Sequence, residues 1–213
     1  MSDMRGERTK ELLRSALREL LHDKPLEKVT VKEVLDTAMA SKKAFYNHYS
    51  DIFDLAIDAY LVPPEQYRFV YRPLGEYRTL VDICEAVLTS VARSMEFSRA
   101  NPNLARAIAL NMGRSPYFDR AQTDGGVTFL TEFVTHAYGS GTVGFISQDV
   151  CARYIFNGAT GLVRDWVRSG MVEDSQTMAK RCVTLNLQCA SLMAGRAIDP
   201  EVLAYIEQWR FEG

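Results

Sequence analysis

Cysteine and histidine are scarce in this chain of 213 residues, with four of the former and three of the latter. Cys84, Cys151, Cys182 and Cys189 show no C-x-x-C spacing, and no histidine stands three to five residues from any of them. That excludes the usual structural zinc patterns, and small buried thiols of a reducing cytoplasm are the expectation. Long apolar runs are missing too: nothing approaches the ~18 consecutive apolar residues of a spanning helix. The start, MSDMRGERTKELL, is too polar for a secretory signal. A cytoplasmic protein without a membrane partner is therefore expected. Charge of one sign is absent, the formal total being −2, and by itself that gives no hint of a polyanion partner. No nucleophile–base arrangement, phosphate loop or metal cluster is legible, which argues against an enzyme and against a bound cofactor or metal.

What is present is a 47% apolar chain, too apolar for disorder, with helical periodicity almost throughout. Leu13, Ala16, Leu17, Leu20 and Leu21 form one stripe at i, i+3, i+4, i+7 and i+8, predicting a helix from Glu11 to Leu21 that Pro25 forbids from continuing. Thr30-Val31-Lys32-Glu33 has the form of a capping box, in which hydroxyl and carboxylate each serve the other's amide. Ser41 is a second cap candidate, opening a helix from Lys42 to about His48, and Ser50 can cap a fourth from Asp51 to Leu61. Val62-Pro63-Pro64 is the clearest break. Beyond it, Asn101-Pro102, Ser115-Pro116 and Asp199-Pro200 read as helix starts, and the stretch Gly139–Gly144 as a loop with a short strand conceivable near Thr142–Ile146. The fold class is all-α, with a head over residues 1–60 and a larger helical body over residues 61–213.

Thr30 and Ser41 stand eleven residues apart, with a turn of about three residues between the helices they cap. That is helix-turn-helix spacing, in which the second helix enters the major groove. Lysine and serine on that helix suit phosphates, and Asn47 can pair bidentately with adenine. Charge is also divided along the chain: residues 1–50 carry 10 basic and 8 acidic side chains, and residues 51–213 carry 15 and 19. Six of the seven lysines lie in the first segment.

The segment from Arg8 to Asp58, with VTVKEVLDTAMASKKAFYNHYSDIFDL at its centre, resembles the DNA-binding head of TetR-family transcriptional regulators. Val29-Thr30-Val31, Val34, Ala38, Ser41, Phe45-Tyr46, His48-Tyr49 and Leu55 match that family's pattern. The resemblance implies that Thr30, Ser41, Lys42, Tyr46 and His48 touch phosphates, and that Lys43, Ala44 and Asn47 face bases. Three positions depart from the pattern. Met39 replaces the turn glycine and must accept its positive φ or alter the turn. Lys43-Ala44 replaces Gly-Thr, and Ile52 stands where a phosphate-binding lysine is usual.

In the body, Ile155, Ala159, Leu162 and Trp166 mark one apolar face of a helix. Ala152, Phe156, Val163 and Val167 mark another. Met178, Cys182, Leu185, Cys189 and Leu192 follow at spacings 4, 3, 4, 3, a bundle-type seam. The run Phe156, Gly158, Gly161, Trp166, Gly170 also resembles the last helices of TetR-family regulators, which pair across a two-fold axis. By that resemblance Ile155, Leu162, Trp166, Met178, Cys182, Leu185 and Cys189 form a homodimer interface. Aromatics and methionines of the body can line an apolar pocket for a small-molecule effector, itself apolar or aromatic, with Phe97, Met112, Phe133, His136 and Phe156 as candidate contacts. The function these features imply is a ligand-responsive dimeric repressor on a palindromic operator of double-stranded DNA. Met39, Lys43 and Ile52 leave open a second reading, a TetR-like sensing or partner-binding module with weakened or lost DNA binding.

Overall fold

The computed structural model describes residues 2–67, 72–111, 126–136 and 146–211. Ten helices lie among them: α1 (Ser2–Asp23), α2 (Val31–Ala38), α3 (Lys42–Tyr46), α4 (Ile52–Leu61), α5 (Leu80–Ala100), α6 (Pro102–Asn111), α7 (126–136), α8 (Gln148–Arg168), α9 (Ser175–Ala194) and α10 (Pro200–Gln208). The all-α class is as expected. Met112, Ser115-Pro116 and the Gly139–Gly144 stretch lie outside the described residues.

Local chemistry sets most helix starts. Thr30 Oγ1 accepts from the Glu33 amide while the Glu33 carboxylate accepts from the Thr30 amide, so the capping box forms in full. Ser41 caps α3 through the Ala44 amide. Two caps differ from the sequence reading. Asp51, not Ser50, caps α4, because its carboxylate reaches the amides of both Phe53 and Asp54. The Asn101 side chain donates back to the Phe97 carbonyl and so closes α5, and it is the Asn101 backbone carbonyl, accepting from the Ala105 amide, that opens α6 at Pro102. At the other end, α1 begins nine residues before Glu11, at Ser2, with Glu7 reaching Arg14 about two turns on.

In the head, α1 lies against α2 and α4. Leu13, Leu17, Val34, Phe45, Leu55 and Ile57 are fully buried there. Met39 takes the left-handed conformation, φ 49° and ψ 42°, so the turn is preserved without its glycine. Its side chain points outward, 94% exposed, so no packing clash adds to the Cβ crowding of about 1–2 kcal/mol that the left-handed conformation imposes. The head core extends into the body. Phe97 of α5 and Leu104, Ala107 and Ile108 of α6 join the head cluster. Asn103 Nδ2 also donates to the Leu21 carbonyl at 2.8 Å. The division expected after residue 60 thus falls one residue inside the end of α4 and across a shared hydrophobic cluster.

In the body, α5 runs along α9, and α8 packs against α6 and α9. The seam expected as a dimer interface divides here, and part of it is corrected. Ile155, Trp166, Met178 and Cys182 are buried in this chain's own core, at 3%, 5%, 1% and 3% exposure. Leu162 packs partly on the same core, Cys189 partly on the neighbouring one, and Leu185 is exposed. The cause is the helical repeat. At about 100° per residue, Leu185 and Leu192 lie about 20° and 40° behind Met178, at the edge of a buried face that Ala179, Val183 and Ala190 centre about 100° ahead of it. On α9 the buried stripe accordingly runs Met178, Cys182, Val183, Leu187, Ala190, and leaves Leu185 and Leu192 outside.

Candidate nucleic-acid interface

The five-residue helix α3 is too short to hold itself, and tertiary anchors fix it. Phe45 is its root: fully buried, with its ring 5.2 Å from that of Tyr46 and 5.8 Å from that of Tyr49. With Phe45 inward, the neighbouring positions turn outward. Thr30, Ser41, Lys42, Lys43, Tyr46 and Asn47 are exposed, and Ala44 and His48 are half-buried. None of the eight residues expected at a DNA surface is buried. Lys42 Nζ sits 5.9 Å above the Tyr46 ring, a cation–π contact that orders the two together. His48 is less open than the sequence suggested, because a Cβ at Gly6 would lie 3.6 Å from its ring. The N-terminal end of α1 thus flanks the far end of α3.

Thr30 is already engaged. Its hydroxyl donates to Glu33 Oε2 at 2.8 Å, and Lys24 Nζ holds Glu33 Oε1 at 2.5 Å. The lysine and the two groups of Thr30 pull the Glu33 carboxyl from the usual range down to about 2. A carboxyl whose folded value is depressed stabilises the fold above its ordinary titration and loses that contribution as pH falls. The start of α2 should therefore stay intact through pH 4.5 and loosen only as pH approaches 2. Carboxyl NMR of Glu33 measures this, and a midpoint near 4.5 would show that the capping box and the lysine do not hold it.

Behind the surface lies a buried polar cluster that the sequence reading missed. The Arg14 guanidinium, 3% exposed, is held by Glu7, Glu11 and Asp58 at 2.6, 2.8 and 3.0 Å. Burial works against its charge, but the three carboxylates outweigh it and raise its affinity for the proton. Tyr49 donates its phenolic proton to the same Asp58 oxygen at 2.5 Å. Burial, then the Asp58 carboxylate, pushes the tyrosine upward, so it remains a donor. Arg18, one turn from Arg14, donates to the carbonyls of Ala59 and Val62 at the end of α4. Asp58 thus joins three elements: α1 through Arg14, its own helix α4, and through Tyr49 the end of α3. The signal lay in the leucine stripe of α1, where Arg14 and Arg18 follow Leu13 and Leu17 directly.

Among the described residues the expected effector contacts do not gather around one cavity. Phe97 belongs to the seam between head and body, where it meets Tyr60 and Tyr67. His136 is exposed. Phe156 lies across the backbone of Gly126, where a Cβ would stand 2.1 Å from its ring. Met112 falls outside the described residues. Phe133 alone of the five lines the described cavities, one of about 30 Å³ among α5, α7, α8 and α9 and one of about 200 Å³ under the α9–α10 turn. The sequence could mark aromatics, but only packing decides which of them border empty space. No group of three or more potential metal ligands occurs among the described residues, and no described helix is long and apolar enough to cross a membrane.

No family model matches the chain, and no curated protein matches it. Solved structures do. The dihydroxyacetone kinase operon activator DhaS aligns with a TM-score of 0.52 at 11% identity, over 87% of this chain and 97% of its own. NalD, the secondary repressor of the MexAB-OprM multidrug efflux pump in Pseudomonas aeruginosa, aligns in its native structure with a TM-score of 0.52 at 16% identity, over 86% and 96%. A further NalD structure gives 0.50 at 18% identity, over 89% and 98%. The chain has the all-α fold of these TetR-type regulators. These alignments span nearly the whole of each neighbour. One neighbour is described as an activator and the other as a repressor.

Proposed function

We propose that the chain is a DNA-binding transcriptional regulator acting as a homodimer. The observation that carries this reading is α3: rooted by Phe45, capped by Ser41, and presenting Lys42, Lys43, Tyr46 and Asn47 to solvent. Lys42 and Ser41 serve phosphates, and Lys43 and Asn47 read base edges in the major groove. One such helix reads too few bases for useful specificity, so two heads act on two half-sites of a palindrome. A small-molecule effector bound in the body would shift the spacing of the heads. Coupling of this kind is typically about 1–3 kcal/mol, a 5–150-fold change in DNA affinity.

The second copy fits the face of α8 that the core leaves open. Val150 and Tyr154 are 54% and 64% exposed there, and a Cβ at Gly158 would meet nothing within 4 Å. Exposed Leu185 and Leu192 of α9 extend the apolar area. These five replace the inward-facing residues as interface candidates.

Mobility shift against operators selected from random duplexes tests the function. A specific complex at moderate salt is expected, weakening with added salt by about 0.9 log units of affinity per log unit of salt for each phosphate contact. Lys42→Ala should weaken every duplex alike, whereas Asn47→Ala should cost about 1–3 kcal/mol on the selected site and relax preference at one base pair. Absence of any specific complex would leave the sensing-module reading in its place.

A further inference from the structure

The turn between α9 and α10 roofs the cavity of about 200 Å³ introduced above. Its floor and walls are apolar: Leu80 and Cys84 of α5, Phe133 of α7, Leu187 of α9 and Val202 of α10. Its rim is the turn itself, where Arg196, Ala197 and Asp199 are exposed. The two rim charges are not equivalent. Asp199 is committed as the cap of α10, accepting from the Glu201 amide at 2.9 Å. The Arg196 guanidinium makes no ion pair or hydrogen bond among the described residues, although its backbone carbonyl is fixed by the Ser191 hydroxyl. An anchored backbone thus carries an uncommitted cation at the mouth of an apolar chamber. Cys84 adds no opposing charge, since burial pushes its thiol up to about 11 and keeps it neutral.

We propose that this chamber binds an aromatic carboxylic acid, ring inward against Phe133 and carboxylate paired with Arg196 at the rim. Size suits a single ring, since an apolar cavity of about 150 Å³ already accepts benzene. Phe133 supplies an aromatic wall, and it is itself stacked on Phe129 with ring centres 6.4 Å apart. A guanidinium is matched to a carboxylate by its paired donors. An amine would have to compete for Asp199 with the helix end that it caps. Two helices of the roof, α9 and α10, would then be bridged by one ligand. The site rests on the regulator reading only for its consequence, release or retention of DNA.

The test uses three probes of one shape on the full chain: 3-phenylpropionate, 3-phenylpropanamide and 3-phenylpropylamine, followed by calorimetry and thermal shift. Saturable binding of the acid is expected, about tenfold or more tighter than the amide. Arg196→Gln, at an exposed position, should remove that preference, and Ala197→Phe, which places a ring at the mouth, should block all three probes. Equal affinity for acid and amide, tighter binding of the amine, or an acid preference surviving in Arg196→Gln would each overturn the proposal, as would no binding of any probe at millimolar concentration. Mobility shift without ligand separates the two readings. Failure to bind DNA counts against the regulator alone, and failure of acid selectivity counts against this site alone.

Discussion

Asp58→Ala should cost the protein about 3 kcal/mol of unfolding free energy, the lower end of what breaking a buried ion pair from one side removes. One oxygen of this carboxylate accepts from Arg14 at 3.0 Å and from Tyr49 at 2.5 Å, and its side chain is only 16% exposed. Deleting it leaves a phenolic proton and one arm of a guanidinium buried without their acceptor. Glu7 and Glu11 stay on the other arm, which keeps the loss below the upper end. Chemical denaturation at neutral pH gives the number. Asp149→Ala is the comparison, since its pair with Arg153 spans one turn of α8 with both side chains more than half exposed. That change should cost only about 0.3–0.5 kcal/mol. If the two variants lose similar stability, Asp58 is not the junction described above. Operator affinity should fall in Asp58→Ala beyond what unfolding explains, because Tyr49 directly follows Asn47 and His48 of the proposed DNA surface and loses its tether to α4.

Gly158→Arg should convert the proposed dimer to a monomer and lower operator affinity by about 10²–10⁴, the usual gain from joining two binding modules. The glycine sits mid-helix on the outer face of α8, where a Cβ would meet nothing within 4 Å among the described residues. The folded monomer therefore tolerates the arginine, and helix propensity even favours it, by up to about 1 kcal/mol over glycine. Against a second copy the same side chain would bring charge and bulk into a close helix contact. Light scattering reads the oligomer and circular dichroism reads the fold. A dimer that persists in this variant would move the interface away from α8. Gly126 offers the contrast: a Cβ there strikes the Phe156 ring at 2.1 Å inside the subunit, so its replacement damages packing instead of assembly.

Much of the head is legible in its own residues. Capping chemistry is local, a matter of side chains reaching amides two or three residues away, so Thr30 with Glu33 and Ser41 can be read directly. The position of Phe45 among polar neighbours likewise announces which side of α3 turns inward and which is left for a ligand. Met39 is recognisable as a departure, and its left-handed φ of 49° follows from the turn's length. Longer-range relations are not legible. A spacing of 4, 3, 4, 3 marks a stripe but not what the stripe faces, and Met178 and Cys182 turn into their own core while Leu185 does not. Asp58 lies 44 residues from Arg14, and no local rule joins two such charges.

The sequence by itself determined an all-α chain, the starts of α2, α3 and α10, and a helix-turn-helix whose second helix exposes two lysines, because hydrophobic period and capping act over one or two turns. Tertiary structure alone decided which apolar faces were spent inside the subunit, which charges met beneath α3, and where the body was left hollow. Those outcomes depend on how helices far apart in the chain fill a common volume, and that volume is written in no single segment.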